Sequence, residues 1–205
     1  MKQLRELKCP KNLYNLSVSY FSNRKAALSV NNYRMEKEVQ KGCPPGSSCG
    51  PGFWNVMYNS LLNLKFNSRT KVIAFADDLI VLTREACKME TENYSNEDLK
   101  KIERWGTDNK IEFNDKKSKV LFISRKRNDN RKVNIYLNYK RLDQTEETKY
   151  LGIYSDNKFN FNAHIDYTVA KSITLVNMLS RMAKLQWGLG HKTLKTIYEG
   201  AIVPI

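Results

Sequence analysis

The sequence predicts an α+β fold over most of its length, ending in an all-helical stretch. Three observations predict it. Apolar side chains recur at helical spacing over 10–21, 53–62 and 99–105. Short runs rich in β-branched and aromatic residues lie among these helices. Beyond Asn162 only the helical period remains. At 205 residues with 41% hydrophobic side chains, the chain is long enough for a core and is not compositionally disordered.

In chain order, P-K-N-L-Y-N-L-S-V-S-Y-F (10–21) places Leu13, Leu16, Tyr20 and Phe21 at helical spacing, and Pro10 suits a first turn. K-A-A-L-S-V and Y-R-M-E-K-E-V flank Asn31-Asn32, and asparagine tolerates positive φ, so a β-hairpin is predicted. The Gly/Pro/Ser-rich loop G-C-P-P-G-S-S-C-G-P follows. A helix is predicted from Pro51, with Phe53, Trp54, Met57, Leu61 and Leu62 as its apolar side. V-I-A-F-A-D-D-L-I-V-L (72–82) reads as two short strands meeting at Asp77 and Asp78. S-N-E-D (95–98) is a capping-box-like helix start, continued by Leu99, Ile102 and Trp105. Segments 119–124, 133–137 and 148–154 read as strands. Ile165, Val169, Ile173, Val176 and Leu179 share one face of the next helix, which Gly188 and Gly190 break. A last helix carries Leu194, Ile197, Tyr198 and Ala201 up to Pro204.

Lys plus Arg number 35 against 21 Asp plus Glu, a net charge of +14 that favours a polyanionic partner such as nucleic acid. The basic residues are spread along the chain, which suits a groove better than a disordered arm. No apolar run approaches the ~20 residues of a membrane helix. The first residues, M-K-Q-L-R-E-L-K, have no signal-peptide core. Cys9, Cys43, Cys49 and Cys87 show no C-x-x-C spacing, and His164 and His191 are remote from them. This argues against zinc and for reduced intracellular thiols.

The acidic doublet is the main puzzle. Adjacent ionised carboxylates do not belong unpaired in an apolar interior. Either the chain turns there and both reach solvent, or a hard cation takes up their charge. Mg²⁺ uses one or two carboxylates together with substrate phosphates, and two ions ~3.5–4 Å apart stabilise both oxygens of a phosphoryl transfer. The plain alternative is an exposed turn without a ligand. The glycine loop permits close backbone approach and opens a helix whose N–H groups favour anions, or it is an ordinary surface turn. It is not a Walker loop. N-D-K-K-S-K (114–119) offers lysines to a leaving pyrophosphate, or is a solvated basic turn.

Four stretches in order resemble a reverse transcriptase of a non-LTR (LINE-type, jockey-like) retrotransposon. They are K-G-C-P-P-G-S-S-C-G-P-G-F-W-N-V-M-Y-N-S-L-L (41–62), A-F-A-D-D-L-I-V-L (74–82), F-N-D-K-K-S-K (113–119) and K-Y-L-G-I-Y-S-D (149–156). The resemblance implies an incomplete polymerase palm over 1–160, an antiparallel sheet with packed helices, and the helical start of a thumb over 161–205. It implies an RNA-directed DNA polymerase acting on an RNA template, a DNA primer and dNTPs, with two Mg²⁺ or Mn²⁺ ions in the complete enzyme. It makes Asp77 the main metal ligand and Asp78 its companion, with Lys117 near the pyrophosphate. Gly42, Pro44, Pro45, Gly46, Ser47 and Phe75 would shape the nucleotide and template pocket, and Tyr150, Leu151 and Gly152 the primer grip. Trp54, Tyr150 and Trp187 could touch nucleic acid, and core packing is the preferred assignment for each. An intracellular, nuclear place of action follows from the same resemblance.

Two departures stand out. Pro45 replaces the glutamine of G-C-P-Q-G-S, which removes an amide and stiffens the loop. Cys49 stands where the family has leucine. The family's other catalytic aspartate lies on an upstream strand, whereas Glu6 is the only acidic residue before Arg24. The expectation is a truncated domain with little activity as an isolated chain; the alternative is a non-catalytic basic nucleic-acid-binding protein derived from it.

Overall fold

The structure, a computed structural model, describes residues 1–44, 46–124, 126, 129, 131–183 and 188–204. The chain divides into two compact units, Met1–Glu112 and Phe113–Ile205. Pro45 and Trp187, both singled out above, lie outside the described residues.

The first unit runs α1 (Lys2–Glu6), α2 (Lys11–Phe21), β1 (Lys25–Val30), β2 (Tyr33–Glu38), α3 (Gly50–Leu62), β3 (Thr70–Phe75), β4 (Asp78–Thr83) and α4 (Lys88–Asn109). The predicted hairpin forms around Asn31, at φ +54°, with Val30 opposite Tyr33. Both of its strands are exposed throughout. The core sits between α3 and α4, where Leu61 and Ile102 are fully buried beside Tyr58 and Trp105. Leu4 of α1 is buried as well.

The S-N-E-D segment does not begin its helix. α4 starts seven residues earlier, at Lys88. The Thr91 hydroxyl donates to the Cys87 carbonyl at 2.9 Å, and Lys88 pairs with Glu92 one turn on, so the first turn is held without Ser95. Asp98 has another task. Its side chain is fully buried, and both oxygens accept the Asn67 N–H at 3.2 Å. Lys101 Nζ donates to it at 2.8 Å. This carboxylate therefore fastens the base of the β3–β4 hairpin to α4.

The second unit contains β5 (Lys119–Leu121), β6 (Tyr136–Leu137), β7 (Lys140–Arg141), β8 (Asp143–Thr145), β9 (Glu147–Tyr150) and β10 (Ile153–Asp156). Helices α5 (Asn162–Met182) and α6 (His191–Ile197) follow, then a π-helical turn, Tyr198–Ile202. Val133, Ile135, Leu137 and Leu142 form its buried core. Three predictions need correction here. The strand at 119–124 pairs only to Leu121, and that at 133–137 only over its last two residues. The run 148–154 is not one strand but a hairpin. Leu151 at φ +47° and Gly152 at φ +89° form its turn, the sign pattern of a type I′ turn.

The α+β class stands, and no single antiparallel sheet exists among the described residues. They form five two-stranded sheets, four antiparallel and one, β5 with β8, parallel. The apolar stripe of α5 is present, yet no residue of that helix is buried. Ahead of α5, Asp156 accepts N–H groups from Lys158 and Asn160 at 2.9 and 3.0 Å, and these backbone donors lower its carboxyl pKa. No helix among the described residues is long and apolar enough to cross a membrane.

Asp98→Ala orphans the Asn67 N–H. It is expected to destabilise the first unit by about 1–3 kcal/mol, the penalty for an unpaired buried donor. The urea midpoint measures this; an unchanged midpoint would show that the tie is dispensable. The bond to Asp98 also raises the Lys101 pKa. That part of the stability is complete below the unfolded lysine pKa and is lost as pH rises through the folded one.

Candidate functional site

The acidic doublet lies at the tip of the β3–β4 hairpin. Phe75 pairs with Asp78, so Ala76 and Asp77 form a two-residue loop. Ala76 takes φ +51° while Asp77 keeps a negative φ, the sign pattern of a type II′ turn. Glycine is the usual occupant of that first position, and an L-residue there costs about 1–2 kcal/mol. Asp77, Asp78 and Phe75 are all exposed. No ion pair to either aspartate is found among the described residues. The chain therefore turns at the doublet and lifts both carboxylates into solvent, where they are also open to a cation.

Something has to hold an alanine in that conformation. The Trp54 indole N–H donates to the Ala76 carbonyl at 2.5 Å. Trp54 stacks on Tyr58, four residues on along α3, with centroids 4.7 Å apart. Tyr58 meets Trp105 edge-on at 5.6 Å, and the Trp105 indole donates to Ser60 Oγ at 2.9 Å. A continuous aromatic ladder thus runs from the α3–α4 core to the turn. Burial raises the Tyr58 pKa, and the nearby charges of Asp77 and then Asp78 raise it further. Trp54, assigned by its sequence to core packing, does pack on Tyr58 and in addition donates to the turn. Its i,i+4 spacing to Tyr58 made the stack readable; the partner of its indole N–H was not.

The glycine loop is fastened to the same end of α3. Gly42 and Gly46 sit at φ +77° and +76°, with open space where a side chain would project. The Ser47 N–H donates to the Pro44 carbonyl at 3.1 Å. Ser47 Oγ lies 2.9 Å from the Tyr20 hydroxyl, and Phe53 stacks on Tyr20 at 5.7 Å. Arg24 donates to the Gly42 carbonyl and lies over the Phe21 ring. The start of α3 has no side-chain cap and no acidic residue in its first turn. The carboxylate turn and the loop therefore share one helix end, a feature of fold and not of sequence spacing.

The remaining predicted residues belong to the second unit. Lys117 is exposed, in a turn closed by Asn114 Oδ1, which accepts its N–H at 3.1 Å. Tyr150 is half-buried, and its hydroxyl has no hydrogen-bond partner among the described residues. Leu151 and Gly152 are exposed at the hairpin turn.

The family model for reverse transcriptase (RNA-dependent DNA polymerase) matches residues 1–155. The chain belongs to the reverse transcriptase family. Among curated relatives of this reverse transcriptase segment is the Retrovirus-related Pol polyprotein from type-1 retrotransposable element R1 of Bradysia coprophila. That protein is 29% identical over 94% of the chain and 19% of its own length. The RNA-directed DNA polymerase from mobile element jockey of Drosophila funebris is 26% identical over 94% of the chain and 21% of its own length. The R1DM 115 kDa protein of Drosophila melanogaster is 27% identical, and the chain spans 18% of its length. The likeness is thus to non-LTR retrotransposon Pol proteins, and the chain covers about a fifth of these three relatives. No solved structure matches it.

If the aspartates act on Tyr58 through their charge, removing that charge reverses part of the shift. The D77N/D78N double variant is expected to lower the Tyr58 pKa, followed by NMR pH titration of ¹³Cζ-labelled tyrosine. An unmoved titration would place the carboxylates away from the ladder. The sign is that of a raised acid: the contribution of Tyr58 to stability is complete below ordinary tyrosine pKa values and is lost as pH rises above them.

Proposed function

We propose that this reverse transcriptase segment carries the metal-binding turn of an RNA-directed DNA polymerase that extends a DNA primer with dNTPs along an RNA template. One observation carries the reading: two adjacent, exposed carboxylates stand at a turn pinned to the helix that follows a glycine-rich loop. Asp77 is the principal ligand and Asp78 its companion. Residues 1–160 act as palm and 161–205 as the beginning of a thumb. Gly42, Pro44, Pro45, Gly46, Ser47 and Phe75 shape the pocket for nucleotide and template. Lys117, for the pyrophosphate, and Tyr150, Leu151 and Gly152, for the primer, are assigned on their motifs alone. A nuclear place of action belongs to the same proposal.

The residues present fit a hard divalent cation, Mg²⁺ or Mn²⁺. Their donors are carboxylate oxygens, side by side and open to solvent, and Mg²⁺ typically takes one or two such groups with substrate phosphates. When bound, such ions neutralise the charge on the attacking and leaving oxygens. The chain's own contribution is placement. The ladder holds both carboxylates at one rim, and the loop presents backbone and hydroxyl groups at the start of α3. Positioning and electrostatics supply most of the catalysis in phosphoryl transfer. A binding role without catalysis is the alternative, and the net charge of +14 supports it as far as it supports any contact with a polyanion.

Replacing the matching segment of the jockey polymerase with this chain separates the two readings. The chimera is expected to extend a primed RNA template, and D77A to reduce extension roughly 100-fold or more, as several kcal/mol of charge stabilisation implies. Salt-sensitive binding of the primed template without D77-dependent extension would leave only the binding role.

A further inference from the structure

We infer that the β6–β7 hairpin of the second unit is a contact point for single-stranded nucleic acid, with the Tyr139 ring as the stacking platform for one unpaired base. The inference rests on the nucleic-acid reading above and adds a residue and a strand type to it.

The turn is the starting point. Leu137 pairs with Lys140, leaving Asn138 and Tyr139 as its two central residues. Both have positive φ, +51° and +62°, so the turn has the type I′ sign pattern. Asn-Gly is the favoured pair there, and a bulky side chain at the second position is strained. The strain gains no packing in return, since Tyr139 is 99% exposed. Folding therefore does not account for the ring.

The hairpin is rigidly mounted. Leu137 and Leu142 are buried on either side of the turn, and the Leu142 N–H donates to the Ile135 carbonyl at 2.8 Å. Asn138 Nδ2 donates to the Phe113 carbonyl at 3.0 Å, and Lys140 Nζ to Asp115 Oδ2 at 2.8 Å. These two bonds dock the hairpin on the segment that continues into Lys116 and Lys117, both exposed. Tyr136 faces Arg141 across the strands, and both are exposed. The hairpin with the aromatic tip, and the segment it docks on, thus carry the exposed cations Lys116, Lys117 and Arg141.

That combination fits a polyanion carrying flat apolar faces. Every base offers a π-face, and flanking cations meet the phosphates. An unpaired strand is favoured over a duplex because bases within a duplex are already stacked on each other. The net charge of +14 argues against a basic or neutral protein partner.

The test uses the whole chain with fluorescein-labelled oligo(dT) and oligo(U) in anisotropy titrations at two salt concentrations. Tyr139→Gly removes the ring and relieves the φ strain, so the two readouts should move in opposite directions. Its melting temperature should rise, while its affinity should fall at least roughly five-fold, the lower end for a lost base–aromatic stack. Tyr139→Phe keeps the ring and should bind as wild type. If Tyr139→Gly binds the oligonucleotides as tightly as the parent, this inference fails and the wider reading stands. If the parent shows no salt-sensitive binding to any nucleic acid, both fail. A loss on Tyr139→Phe as large as on Tyr139→Gly would also overturn it, since the hydroxyl and not the ring would then be the contact.

Discussion

One hydrogen bond, from the Trp54 indole to the Ala76 carbonyl, decides where the two carboxylates stand. A two-stranded hairpin is marginal by itself in water. This one also carries an alanine in a left-handed conformation and two neighbouring negative charges. It persists because it is gripped at both ends. The aromatic ladder Trp54–Tyr58–Trp105 reaches the tip, and Asp98 of α4 holds the base through the Asn67 N–H. Both grips come from the α3–α4 core, the best-buried part of the first unit.

This arrangement separates two demands that the sequence places on the same residues. The strands need apolar side chains to form, whereas the carboxylates need water or a cation. The tight turn satisfies both: the last apolar pair is Ala74 with Leu79, Asp78 closes the ladder opposite Phe75, and both acids reach solvent. Like charges side by side are tolerated because solvent reaches both. Tyr58, buried beneath them, is the group that registers their field. The glycine loop gains its relevance in the same way. It is flexible in sequence terms but anchored through Ser47, Tyr20 and Phe53 to the helix end that also holds the turn.

Much of this could be read in advance. Asn31-Asn32 marked one hairpin, the acidic doublet marked another, and the period change beyond Asn162 marked the terminal helices. Local signals sufficed because each of these elements is made of near neighbours. Two of the errors, at Asp98 and Trp54, originate in long-range contacts, and two, at Leu151 and Tyr139, in backbone conformations that their residue types do not announce. Ser95 and Asp98 carried the signature of a helix start, but Asp98 is engaged by Asn67, 31 residues away, and the helix runs through it. Leu151-Gly152 looked like the middle of a strand because Leu is an unusual residue for positive φ. The role of Trp54 depends on a partner 22 residues away, which no spacing rule reports. Tyr139 was overlooked because an exposed tyrosine is unremarkable until its backbone conformation is known.

Backbone ¹⁵N relaxation of the wild-type chain and of W54F tests this account most directly. Phenylalanine keeps the stack on Tyr58 but has no N–H to give. Ordered amides at 76–78 in the wild type, loosened in W54F while α3 and α4 stay unchanged, are the result the account expects. Equal order at 76–78 in both chains would contradict it.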